Sequence, residues 1–213
     1  MDKATDKLLS FANASISAPE DDRKVFEVWG RLGLELAELL QRKNGFYAYE
    51  SALLVRPSRN MGAPLGLCEW NAPALWGGSY ARKIDALFFA EDIFGVQFCI
   101  HDDAVSTFDP ETGAFDELGQ SIAEWTREVI ENRDLRTGYP LAHEWQARNG
   151  ALAPGERLLP KSPFVLGGKY EVENLCRSND IKGMLFRASI ANQIQNLPDG
   201  SQVILRVSGR GQP

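Results

Sequence analysis

Between positions 26 and 40, apolar residues return at three- and four-residue steps: Phe26, Trp29, Leu32, Leu36, Leu39 and Leu40. That spacing places them on one stripe of a helix and predicts an amphipathic helix from about Pro19 to Lys43. Asp21 and Asp22 suit its positive N-terminal end, Arg42 and Lys43 its C-terminal end, and Asn44-Gly45 stops it. Residues 1–18 are small and polar without a clear period and read as a flexible tail. Residues 46–56 read as a strand, or as a strand running into a short helix. Pro57, Gly62, Pro64, Gly66 and Pro73 then break the chain into an irregular loop over 57–80 that carries Trp70, Trp76 and Tyr80.

The period changes to two in the next part. Leu87–Glu91 reads as a strand, and Val96, Phe98 and Ile100 alternate with Gln97, Cys99 and His101. Asp102-Asp103 forms a turn, Ala104–Phe108 a third strand, and Asp109-Pro-Glu-Thr-Gly113 a second turn, since Pro presets φ and Gly accepts a positive one. Ala114–Leu118 returns as a fourth strand. Loops this short join only antiparallel neighbours, so the segment is a meander.

Ser121-Ile-Ala-Glu124 is a capping box opening a helix to about Asn132, with Ile122, Trp125 and Val129 facing inward. Pro140 starts another helix, with Leu141 and Trp145 on one face and Gly150 at its end. A Pro/Gly-rich stretch over 151–168 reads as a long surface loop. Tyr170–Ser178 follows as a strand, and Asp180 caps a helix bearing Ile181, Met184, Leu185, Ala188, Ala191 and Ile194. Pro198-Asp-Gly turns into a last strand, Gln202–Val207. The part beyond 168 is too small to bury a core alone. The expected architecture is α+β: one domain over 19–213 with a central, mostly antiparallel sheet flanked by helices.

Composition narrows the function classes. The 213 residues carry 23 basic and 29 acidic side chains, a net charge of −6, which argues against a dedicated nucleic-acid binder and permits a basic partner. Cys68, Cys99 and Cys176 form no CxxC and read as reduced, mostly buried thiols of a cytoplasmic protein. The most apolar stretch, Ala86–Ile100, is too short for a membrane span and holds Glu91 and Asp92 in its middle. There is no phosphate-binding glycine motif and no nucleophile elbow, and His143-Glu144 lacks the second histidine of HExxH because Ala147 stands in its place. No cofactor is called for.

Two groups of residues remain as candidates. Glu91, Asp92, Asp102, Asp103 and Asp109, with His101, could form an acidic metal site; the same aspartates are also ordinary hairpin-turn residues. Trp70, Trp76 and Tyr80 either close one end of the core or anchor a protein partner, and both hold if one ring edge is exposed.

Gly45-Phe-Tyr-Ala-Tyr-Glu-Ser-Ala-Leu, Trp70-Asn71, Trp76, Phe88-Phe-Ala-Glu-Asp-Ile-Phe-Gly-Val-Gln-Phe98 and Phe108-Asp-Pro-Glu-Thr-Gly resemble the SUKH superfamily, over about residues 25–207. That group includes Smi/Knr-type cell-wall regulators and bacterial immunity proteins. The resemblance implies a curved central sheet flanked by helices, and a binding role in place of catalysis. It supplies no fixed active site. The expectation is a cytoplasmic immunity protein that occludes a basic toxin domain, without direct nucleic-acid or membrane contact. The candidate contacts are Trp70, Trp76, Tyr80, Glu91, Asp92, Asp102, Asp103 and Asp109. The alternatives are a scaffold or regulator of an endogenous partner, and a metal-dependent hydrolase built from the acidic hairpin tips with His101.

Overall fold

A computed structural model describes residues 3–19, 23–198 and 200–204. Its centre is a six-stranded antiparallel sheet in chain order: β1 (Phe46–Ala48), β2 (Leu53–Val55), β3 (Leu87–Asp92), β4 (Gln97–His101), β5 (Ala104–Phe108) and β6 (Phe115–Gly119). The meander read from the alternation is there, and residues 46–56 are two short strands instead of one. Tyr49, Glu50 and Ser51, all at positive φ, make the tight turn between them. Register shifts between Phe88 and Ala90 and between Val105 and Ser106 are irregularities of the bulge kind, which bend a sheet and increase its twist.

Both faces of the sheet are covered. On one, Phe89, Phe98, Ile100 and Val105 pack against Leu8 of α1 (Lys3–Phe11), the leucine stripe of α3 (Gly30–Arg42) and Trp125 of α5 (Ile122–Glu131). On the other, Phe88, Cys99 and Phe108 meet Trp70 of the one-turn α4 (Leu67–Trp70), Trp76 and Tyr80, together with Met184 and Ala188 of α8 (Asp180–Ile194). A strand buried on both faces loses its polar alternation, so β3 is buried throughout.

The residues expected to form a flexible tail are placed. Leu8 is fully buried, and the backbone of Asn13, Ile16 and Ser17 donates to the carbonyls of Tyr47, Gly45 and Asn44 along the β1 edge. Covering that edge removes a row of unpaired amides. The long helix predicted from Pro19 is divided into α2 (Arg23–Phe26), a 3-10 turn over Glu27–Trp29, and α3, which begins at Gly30 with φ 59°. Asp21 and Asp22 lie outside the described residues.

The capping box forms: Ser121 Oγ accepts from Glu124 N at 3.1 Å, while the Glu124 carboxylate reaches Gln120 N. α6 (Arg133–Thr137) and α7 (Tyr139–Asn149) follow it. The stretch expected to be a surface loop holds a strand, β7 (Glu156–Pro160), paired with β8 (Leu175–Asn179) in a second sheet. Asn179, not Asp180, caps α8, accepting from Lys182 N at 3.2 Å. Gln202–Ile204 are not strand, and the rest of that expected strand lies outside the described residues. No disulfide joins Cys68, Cys99 and Cys176, and Cys68 is exposed where burial was expected. No helix among the described residues is long and apolar enough to cross a membrane.

Gly138, at φ 66°, links α6 to α7 directly beneath the β3–β4 turn. A Cβ there would lie 2.4 Å from Phe94 Cε2 and 2.7 Å from Ile93 Cγ2. Gly138→Ala is therefore expected to destabilise the fold by about 2–4 kcal/mol, from left-handed strain plus overpacking. Thermal melts check this, and a loss below about 0.5 kcal/mol contradicts so close an approach.

Candidate binding cleft

The register of the meander divides the acidic candidates into two groups. β3 ends at Asp92, β4 begins at Gln97 opposite Phe108, and Asp109 follows Phe108, so Glu91, Asp92 and Asp109 share one end of the sheet. His101 pairs with Ala104 at the other end, where Asp102 and Asp103 form an exposed turn at φ 49° and 58°. The set that a metal-dependent hydrolase would need is thus not brought together. Among the described residues no group of three or more His, Cys, Asp and Glu side chains is placed to hold a metal ion.

Glu91 points away from solvent into a buried charge network. Its Oε1 lies 3.0 Å from Arg56 and 2.8 Å from Arg157 Nε, and its Oε2 accepts from Gln97 Nε2 at 2.8 Å. Gln97 Oε1 in turn accepts from Trp70 Nε1 at 2.9 Å. Arg56 also pairs with Asp180 at 3.2 Å, and its guanidinium lies 3.3 Å over the Trp70 ring. Burial alone would raise the Glu91 carboxyl; the two guanidiniums outweigh it and hold it below its ordinary value. The network ties β7 and α8 to the central sheet, so Glu91 is a structural hub and not a partner contact.

The aromatic loop is corrected in the same way. Trp70, Trp76 and Tyr80 are 0%, 1% and 7% exposed. Trp76 packs between Trp70, Phe88 and Phe108 at centroid distances of 5.5, 4.9 and 6.2 Å. The Tyr80 hydroxyl donates to Pro110 O at 2.8 Å, supporting the Asp109–Gly113 turn from within. These rings close the core and present no exposed anchor.

Asp92 and Asp109 do meet, in a solvent-open cleft of about 420 Å³. Asp92 Oδ1 accepts from Phe94 N and Val96 N, both at 2.8 Å, and so folds the β3–β4 turn. Asp109 does the same for the next turn, with Oδ1 taking Glu111 N at 2.8 Å and Oδ2 taking Thr112 Oγ1 at 2.9 Å. This aims Glu111 at the segment after β7, where its Oε2 accepts from Val165 N at 2.8 Å. Phe164 stacks on Tyr170 at 3.9 Å and 6°, with Phe94 edge-on to both. Arg187 of α8 closes the floor: it donates to Leu158 O at 3.4 Å, and its Nε lies 3.9 Å from Glu111 Oε1.

Burial pushes Asp92 up to about 7 against its two amide hydrogen bonds and Arg187, and it raises Glu111 as well. It lowers Arg187, which the facing carboxylates oppose. Glu111 was visible in the Asp-Pro-Glu-Thr-Gly turn, where the third position needs no acid for the turn itself. Phe94, Phe164, Tyr170, Asp116 and Arg187 carried no signal of their own.

No protein-family model matches the chain, and no curated protein matches it. Among solved structures, the crystal structure of Atu4351 from Agrobacterium tumefaciens is similar, with a TM-score of 0.56 over 84% of this chain and 86% of that one, at 12% identity. At that identity the likeness shows the α+β fold alone.

Proposed function

We propose that this chain is a non-catalytic, cytoplasmic binding protein of the SUKH immunity type that occludes a basic toxin domain. The observation that carries the reading is the cleft at the Asp92 end of the sheet. Its lining has four carboxylates, Asp92, Asp109, Glu111 and Asp116, against two arginines, Arg136 and Arg187. Arg136 is already paired with Glu128 at 2.7 Å. Beside the cleft stand Tyr170, 66% exposed, and Leu135, 75% exposed. Leu135 also borders a second hollow lined by Phe11 and Tyr49. Acidic groups steer a basic partner and speed encounter, while exposed apolar anchors that become buried supply lasting affinity. The sequence resemblance and the net charge of −6 support the same reading.

Co-expression with the toxin encoded by the adjacent gene tests it. The expected result is a co-purifying complex and rescue of growth. Leu135→Asp should weaken that complex at least about tenfold without changing the melting temperature, since the side chain supports no core. An adjacent gene that encodes no toxin, or a toxin that is neither bound nor neutralised, removes the reading in favour of an endogenous partner.

A further inference from the structure

Two buried carboxylates on the cleft wall have an oxygen to spare. Glu111 uses Oε2 on the Val165 amide; Oε1 has no hydrogen-bond partner among the described residues, although the side chain is only 5% exposed. Asp92 uses Oδ1 on two amides; its Oδ2 is not one of the fully buried unpartnered oxygens and is left facing the cleft. Glu111 Oε1 is thus a desolvated acceptor without a donor, which is costly, and native folds leave few of them. Arg187 does not fill the need, because it is turned to Leu158 O and stays 3.9 Å from Glu111. Arg136 is taken by Glu128. What is missing is a second cation with several donors.

The aromatic side of the cleft narrows the choice of cation. Phe164 covers one face of Tyr170, and Tyr170 remains largely exposed. A guanidinium is flat, carries five diverging donors and stacks on aromatic faces, whereas an ammonium is a compact and strongly hydrated point charge. We propose that the cleft is a guanidinium site that receives one arginine side chain of the protein partner, with Asp92 Oδ2 and the Glu111 carboxylate as acceptors and the open face of Tyr170 as its stacking surface. The source of that arginine rests on the toxin-binding reading; the guanidinium chemistry does not.

The test is a titration of the full chain with Nα-acetyl-arginine amide, followed by calorimetry and by NMR shifts of the Phe94 and Val165 amides. Saturable binding in the millimolar range is expected, as befits one side chain without its interface. Glu111→Gln and Tyr170→Ala should each weaken it about tenfold or more. No saturation overturns the site, and equal binding of the lysine analogue overturns the guanidinium assignment. Free arginine binding more than about tenfold tighter than the blocked amide assigns the site to a small metabolite and overturns the partner as its source. A toxin complex unaffected by Glu111→Gln leaves the immunity reading standing and sinks this inference. Arginine-amide binding without any toxin complex does the reverse.

Discussion

In urea, Glu91→Ala is expected to lose about 3–5 kcal/mol of folding free energy. The side chain is 1% exposed and is shared by Arg56, which is fully buried, and Arg157, which is nearly so. Among the described residues, removing it leaves Arg56 paired with Asp180 alone, and Arg157 with the backbone carbonyls of Ser51 and Glu156. A charge stranded in a low-dielectric interior costs more than the ion pair contributed when intact, so the deletion is far more severe than the value of any one bridge. Gln97 Nε2 loses one of its acceptors at the same time and keeps Gly95 O, so the chain from Glu91 through Gln97 to Trp70 is cut at its first bond. Glu91→Gln keeps the volume and one acceptor and should fall between wild type and Glu91→Ala. The midpoints of urea curves at constant slope measure both. A loss below about 1 kcal/mol for the alanine variant would mean that the network does not hold β7 and α8 to the sheet. Because Glu91 is held below its ordinary value, its contribution is complete above the pH where the unfolded carboxyl ionises, and it is lost as acid titrates the folded one.

Local patterns carried the central fold, and long-range pairings did not. The alternation in β4 and the turn chemistry at Asp102-Asp103 and Asp109–Gly113 place three strands correctly, because hairpin register is a local property. Ser121 and Glu124 announce α5 for the same reason. β7 escaped because Glu-Arg-Leu-Leu-Pro shows no alternation, and its partner β8 lies about fifteen residues further on. The charge network is unreadable from spacing: Arg56, Glu91, Arg157 and Asp180 come from four distant segments, and the apolar runs around Arg56 and Glu91 signal burial without naming their partners. Asp92 and Asp109 were found as turn residues, and both act as such, their carboxylates accepting from backbone amides and, at Asp109, from the Thr112 hydroxyl. Only the tertiary approach of Phe164, Tyr170 and Arg187 turns those same aspartates into cleft walls. Trp70, Trp76 and Tyr80 show the opposite lesson. Large rings among glycines and prolines signal that an irregular segment packs tightly, and whether it packs on the chain's own core or on a partner is settled only by what lies beneath it.

Asp92→Asn is expected to stabilise the protein at pH 8 and leave it unchanged at pH 4. The native chain keeps the Asp92 proton up to about pH 7, while an ordinary aspartate in the unfolded chain releases it near 3.8. Between those values the unfolded state binds fewer protons than the native one, so raising the pH favours unfolding. The penalty is absent below about pH 4 and fully present above about pH 7, where it amounts to at most about 4 kcal/mol. Burial causes it. The groups that face Asp92, namely Arg187 from α8, Arg157 from β7, Glu111 and Tyr170, do not cancel it. Asparagine keeps the Oδ1 acceptor for the Phe94 and Val96 amides and removes the charge. Its gain at pH 8 should appear as a rise in melting temperature of about 5–10 °C, read by calorimetry across the pH range. An equal gain at pH 4, or none at pH 8, contradicts a buried and unmatched carboxylate. The same variant should bind Nα-acetyl-arginine amide more weakly, and the wild-type affinity should rise from pH 5.5 to pH 8, as Asp92 loses its proton to solvent and the carboxylate left behind pairs with the guanidinium. A substitution that strengthens the fold while weakening the site separates two roles of Asp92: its Oδ1 acceptor serves the β3–β4 turn, and its charge serves a ligand at the fold's expense.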